Sequence, residues 1–159
     1  MKRLTRTGAS GEVSVDIAAP PERVWALVSD VTRMGEWSPE CRRCVWLGGA
    51  NGPAPGARFA GFNRRGPIWW VTIGKVEEAE PGRVFSFHTT QPWNGRTPVT
   101  RWTYRFEPAG DGTRVTESFQ VLNEVLLSRF GMLVFGDSGD RLVDGMRQTL
   151  DRVKAAAER

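Results

Sequence analysis

The chain has 159 residues, 40% hydrophobic and 25% charged, with a formal net charge of +4 and a pI near 9.7. That is the composition of one ordinary globular domain able to bury a core, not of a disordered, collagenous or membrane-spanning chain. Lysine stands only at 2, 75 and 154, and the arginines that carry the charge are scattered rather than clustered, so no nucleic-acid partner is expected.

Residues 1–11 are polar and contain glycine, the signature of a flexible lead-in. Met1-Lys2-Arg3 is basic, but no apolar core follows, which argues against a secretory signal. Met132 to Phe135 is too short to cross a bilayer, so a cytoplasmic chain without stable membrane insertion is expected. Glu12 to Ile17 alternates strictly and predicts a strand. Pro20-Pro21 then opens a helix whose buried side is Val24, Trp25, Leu27 and Val28, since proline is tolerated where an N–H has no intrahelical partner. Asp30 caps a second short helix over Val31–Met34, and Pro39 bars its extension.

The period then becomes that of strands: Cys44–Leu47, Arg58–Arg65, Ile68–Glu78, Val84–Thr89, Thr100–Glu107 and Thr113–Val121. Loops rich in Gly and Pro separate them at 48–56 and 91–98, and both are candidate lids. Asn123 to Phe135 reads as a mixed apolar helix, set off by Gly136 from a closing helix over Ser138–Ala157. In that last helix Leu142, Val143, Met146, Leu150, Val153 and Ala157 recur at spacings of three and four, so they form one apolar stripe that must be covered. The order of strand, two short helices, six strands and a long helix predicts an α+β helix-grip fold. In it a curved seven-stranded antiparallel sheet wraps around the C-terminal helix, leaving a mostly apolar cavity between them.

Cys41 and Cys44 form a Cys-x-x-Cys pair, but the chain offers no other cysteine and only His88 as a further zinc ligand. The pair also runs into a strand rather than opening a helix, against a redox motif. Free thiols in a reducing compartment are expected, with no metal and no cofactor.

The segments Val13 to Ile17, Ala19 to Trp25, Asp30 to Glu40, Val76 to Arg83 and Gly112 to Glu117, in this order, resemble the START-like or SRPBCC superfamily of polyketide cyclase/dehydrase and lipid-transport domains. The likeness spans about residues 12–158, read as a single domain after the lead-in. It implies a deep hydrophobic cavity for lipids, polyketides, phenolics or similar molecules. The superfamily holds both enzymes and pure binders, so catalysis is not settled by the likeness.

Strand parity nominates the cavity lining. Trp102, Tyr104 and Phe106 share one face, as do Phe85 and Phe87, and these apolar sets are assigned inward with Phe119, Met146 and Leu150. In the long strand Trp69, Val71 and Ile73 are taken as the inward set, with Trp70 and Val76 competing. Glu117 lies in phase with Val115 and Phe119, so an inward strand places a carboxyl in an apolar pocket; a flipped strand would leave it in water. Burial would raise its pKa, whereas a guanidinium such as Arg64 beside it would lower it. Glu117, Tyr104 and Arg64 are therefore the candidate polar groups for proton transfer or ligand orientation, while His88 falls in the opposite phase from Phe85 and Phe87.

Two functions follow. One is carriage or sequestration of a hydrophobic small molecule, which calls for few polar groups in the cavity. The other is a polyketide cyclase or dehydratase acting by positioning, which calls for at least two converging polar groups at its base. A chaperone-binding stress partner fits the closing segment less well.

Overall fold

The computed structural model describes residues 7–91, 94–123 and 139–159. The expected helix over 123–135, the expected start of the closing helix at Ser138 and residues 92–93 of the second loop lie outside the described residues, Asn123 excepted.

The first strand, β1 (Ser10–Ile17), starts two residues before the strict alternation because Ser10 and Gly11 still pair, with Gln120 and Phe119. Helix α1 (Pro21–Ser29) follows, with Pro21 in its first turn and Val24 and Val28 buried. Asp30 does cap the next element: its Oδ1 accepts from Thr32 N at 3.1 Å. The helix it caps is a 3₁₀ turn over Val31–Arg33, continued by the one-turn α2 (Met34–Trp37), rather than a single helix over 31–34. Six strands complete the sheet: β2 (Cys41–Leu47), β3 (Arg58–Arg65), β4 (Ile68–Glu80), β5 (Val84–Thr90), β6 (Pro98–Ala109) and β7 (Gly112–Val121). Helix α3 (Gly139–Ala157) closes the chain.

All seven strands are antiparallel in the order β1-β7-β6-β5-β4-β3-β2, so each of the six later strands pairs with its sequence neighbour and β1 returns to pair with β7. The fold is the α+β helix-grip arrangement expected from the element order. Helix α3 packs on β1 and β7 and against α1 and α2. Its stripe is the expected one: Met146, Leu150, Val153 and Ala157 are buried, and Leu142 and Val143 half-buried. Each fully buried Leu, Val or Met side chain stabilises such a packing by about 1.5–3 kcal/mol. Polar ties fix its placement: Arg152 Nη1 donates to Trp37 O at 3.1 Å and Lys154 Nζ to Asp16 O at 2.8 Å. Among the described residues no helix is long and apolar enough to cross a membrane.

The aromatic rings build much of the core. Phe59 meets Trp46 edge-on on one side and Phe87 on the other, with centroids 5.9 and 5.1 Å apart, and Phe87 leads on to Phe85 at 5.8 Å. Phe59 sits on β3 and Phe87 on β5, so the ring must pass over β4. It does so above Gly74, its cross-strand partner, where a Cβ would run into the Phe59 ring. Gly74→Ala is therefore expected to displace Phe59 towards the cavity and to lower stability by about 1–3 kcal/mol, the usual range for overpacking. Denaturant midpoints would measure it, and an unchanged midpoint would mean that the ring has room elsewhere.

Candidate functional site

A cavity of about 1060 Å³ lies between the inward face of the sheet, β2 with α2, and the first turns of α3. That is just above the range of about 300–1,000 Å³ usual for small-molecule sites. Its lining is largely apolar, with Phe59, Phe87 and Trp102 from the sheet and Leu142 and Met146 from α3, but threonine and amide groups interrupt it.

The chemistry at its base comes from one hairpin. β6 and β7 are joined through Gly110-Asp111 between the paired residues Ala109 and Gly112, with Gly110 at φ 59°. Glycine accepts that left-handed conformation without strain, and two-residue hairpin turns favour it there. The turn sets the register of the whole pair and so puts Tyr104 directly opposite Glu117. Strand β7 buries every second residue from Thr113 to Val121, so Glu117 points inward and is only 3% exposed. Tyr104 Oη donates to Glu117 Oε1 at 2.8 Å. Oε2 of the same carboxyl is buried with no hydrogen-bond partner among the described residues. Burial raises the Glu117 pKa to about 8, against the opposing pull of the Tyr104 hydrogen bond. Burial, reinforced by the Glu117 carboxyl, also pushes the Tyr104 phenol well above its ordinary value. At neutral pH this pair is thus mostly a neutral acid beside a neutral phenol, able to donate to a carbonyl or hydroxyl in the cavity.

The structure distributes the sequence-nominated residues unevenly. Phe87, Trp102, Tyr104, Glu117 and Met146 line the cavity. Phe85, Phe106, Phe119 and Leu150 are inward too, but lie in the packed core and not among the lining residues. Trp69 is a correction: it points outward and is 58% exposed, while its neighbour Trp70 lines the cavity. The reason is register, since Phe59 pairs with Gly74 and Asn63 with Trp70, which puts the even-numbered residues of that part of β4 inward. Val71 and Ile73 are in phase with Trp69, and Val71 is 50% exposed although it also borders the cavity, so the outer side of this hairpin is simply apolar. Arg64 is a second correction. Its guanidinium stacks over the outward Trp69 ring at 5.1 Å and its Nε donates to Gly66 O at 2.7 Å, so Glu117 has Tyr104, not Arg64, beside it. Two other arginines line the cavity, Arg141 on α3 and Arg65 on β3, whose Nε donates to Glu40 Oε1 at 3.0 Å. Only parity with Phe59 could have singled out Arg65, and that strand's inward face is ambiguous in sequence. His88 pairs through Nδ1 with Glu77 Oε1 at 2.7 Å, beside Arg101, and is not part of the cavity lining.

Residues 9–158 match the sequence profile of the family described as polyketide cyclase / dehydrase and lipid transport. The solution structure of the polyketide cyclase-like protein Cgl2372 from Corynebacterium glutamicum is 34% identical over 94% of this chain and 89% of that one, with a TM-score of 0.52. The protein TTHA0849 from Thermus thermophilus is 18% identical, covers 94% of this chain and 97% of its own, and has a TM-score of 0.69. The di-domain ARO/CYC protein StfQ of the steffimycin biosynthetic pathway is 14% identical over 94% of this chain and 44% of that one, with a TM-score of 0.68. The last two likenesses are of fold alone. No curated protein matches the chain.

Proposed function

The chain belongs to the polyketide cyclase / dehydrase and lipid transport family, and from that premise we propose that its cavity binds a hydrophobic small molecule carrying at least one polar substituent. The observation that carries this reading is a cavity of about 1060 Å³ whose apolar walls end on a buried carboxyl with one oxygen unpartnered among the described residues. An oxygen left without a partner in an apolar setting costs about 1–3 kcal/mol, so a ligand hydroxyl or carbonyl that meets it gains that much over a plain hydrocarbon. Phe87, Trp102 and Met146 supply the apolar contact, and Tyr104 holds the carboxyl in one orientation. The ligand class is thus lipids, polyketides or aromatic compounds with an oxygen function.

Displacement of a fluorescent hydrophobic probe tests this reading, together with mass spectrometry of what co-purifies. Trp102→Ala is expected to weaken the probe by about tenfold or more, equivalent to about 1.4 kcal/mol. Failure of every hydrophobic probe to bind the wild type would overturn the reading.

A second reading, an enzyme of the cyclase or dehydratase type, is favoured by the convergence of Tyr104 and Glu117 at 2.8 Å. A general acid works best when its pKa lies near the working pH, and Glu117 at about 8 satisfies that. The neighbouring fold of StfQ supports the same reading. Turnover of a poly-β-ketone substrate that persists unchanged in Glu117→Gln would remove it.

A further inference from the structure

An i, i+3 pair on a regular strand projects to opposite faces. The fold removes that premise. The register of β2 against β3 shifts between Cys41 and Arg43, and an extra residue in one strand re-aims the side chains after it. Both cysteines are consequently buried on the same face, while Arg42 and Arg43 between them are exposed. Their sulfurs lie 3.3 Å apart. A third sulfur arrives from a different element: Met34 Sδ, on α2, is 4.0 Å from Cys44 Sγ. All three residues line the cavity. Across from them Gly61 lacks a side chain, and a Cβ there would stand 3.4 Å from Cys44 Sγ and 3.8 Å from Cys41 Sγ, so the space beside the sulfurs is kept open.

This donor set is sulfur alone. Among the described residues no three His, Cys, Asp or Glu side chains are grouped as for a metal ion. Zinc, which takes four ligands in a structural site, is not catered for, whereas two thiolates and a thioether are the soft donors that select Cu(I). A metal–sulfur bond of about 2.3 Å places the sulfurs of a planar three-coordinate site about 4 Å apart. The Cys44–Met34 spacing already has that value, and the cysteine sulfurs would have to separate by less than about 1 Å.

We propose that Cys41, Cys44 and Met34 form a three-sulfur site for Cu(I) in the wall of the cavity. The ion replaces both thiol protons, so one Cu(I) enters, two protons leave to solvent, and no electron is transferred.

The test is anaerobic titration of the reduced full chain with Cu(I) against a coloured Cu(I) chelator. One equivalent is expected to be retained, with affinity falling by about a hundredfold or more in Cys41→Ser and in Cys44→Ser, and by about tenfold in Met34→Leu. Copper K-edge absorption on the wild type, which needs no variant to fold, is expected to give three sulfur neighbours near about 2.3 Å. Complete loss of copper to the chelator would overturn the proposal. So would a two-sulfur shell with Met34→Leu unchanged, or retention of Zn(II) as tight as that of Cu(I).

Discussion

Glu117→Gln is expected to make the protein less stable than the wild type at pH 5 and more stable at pH 9, so that the two stability curves cross. In the unfolded chain this carboxyl titrates near 4.5, and in the fold near about 8. Between those values the native state holds a proton that the unfolded chain has released, so wild-type stability falls as pH rises. The contribution is fully present below about pH 4.5 and lost above about pH 8. At about 1.4 kcal/mol per pH unit, the whole span amounts to about 5 kcal/mol. Glutamine cannot ionise, so that slope disappears from the variant. It still accepts from Tyr104 but buries an amide N–H₂ in place of the acid, at a cost of about 1–3 kcal/mol at every pH. Urea unfolding of both proteins at pH 5, 7 and 9 measures the crossing. Parallel curves would mean that the Glu117 carboxyl is hydrated in the folded protein.

Phe85→Ala is expected to cost about 3–5 kcal/mol, whereas Trp69→Ala, which deletes a larger ring, is expected to cost about 1 kcal/mol or less. Phe85 is fully buried, with Phe87 and Tyr104 rings at 5.8 and 6.4 Å, and its removal leaves a hole that a packed core does not refill. Trp69 is 58% exposed and loses little beyond its contact with the Arg64 guanidinium, worth about 0.5–1 kcal/mol at such a site. Urea midpoints at unchanged m-value give both numbers. A Phe85→Ala protein as stable as the wild type would place that ring against the cavity rather than inside the core.

The contrast between Phe85 and Trp69 also marks where the sequence stops being readable. Both were nominated for the same lining on strand parity, and parity works only when the two faces of a strand differ in polarity. On β7 burial alternates and settles the open choice for Glu117 inward, whereas on β5 Val84 to Phe87 are all buried and it is the cavity that singles out Phe87. On β4 the inward face carries Trp70, Thr72 and Gly74, while Trp69, Val71 and Ile73 face out, which inverts the usual pattern. A strand wall that borders a cavity does not need to be greasier than its back. Small and polar residues at Thr72 and Gly74 leave space, and space has no hydropathy signal.

The same limit explains the polar groups. Glu117 is legible because it interrupts an otherwise apolar phase, but its partner is not, since the sequence offers Arg64 as its neighbour as readily as Tyr104. Which residue stands opposite depends on a two-residue turn at Gly110-Asp111, and the sequence marks only a broader polar loop from Pro108 to Gly112. One residue more in that turn would have moved Tyr104 off the carboxyl altogether.

By itself the sequence determined the order of elements, the apolar stripe of α3 and the phase that Glu117 shares with Val115 and Phe119, because each is a periodicity carried within one segment; that this phase faces inward is settled by the sheet. Only the tertiary structure decided which side of the β3–β4 hairpin faces the cavity, that Tyr104 meets Glu117, and that Cys41, Cys44 and Met34 share one wall. Those depend on cross-strand register, on a bulge and on residues missing a Cβ, and each is settled by a partner strand or helix that a local pattern does not contain.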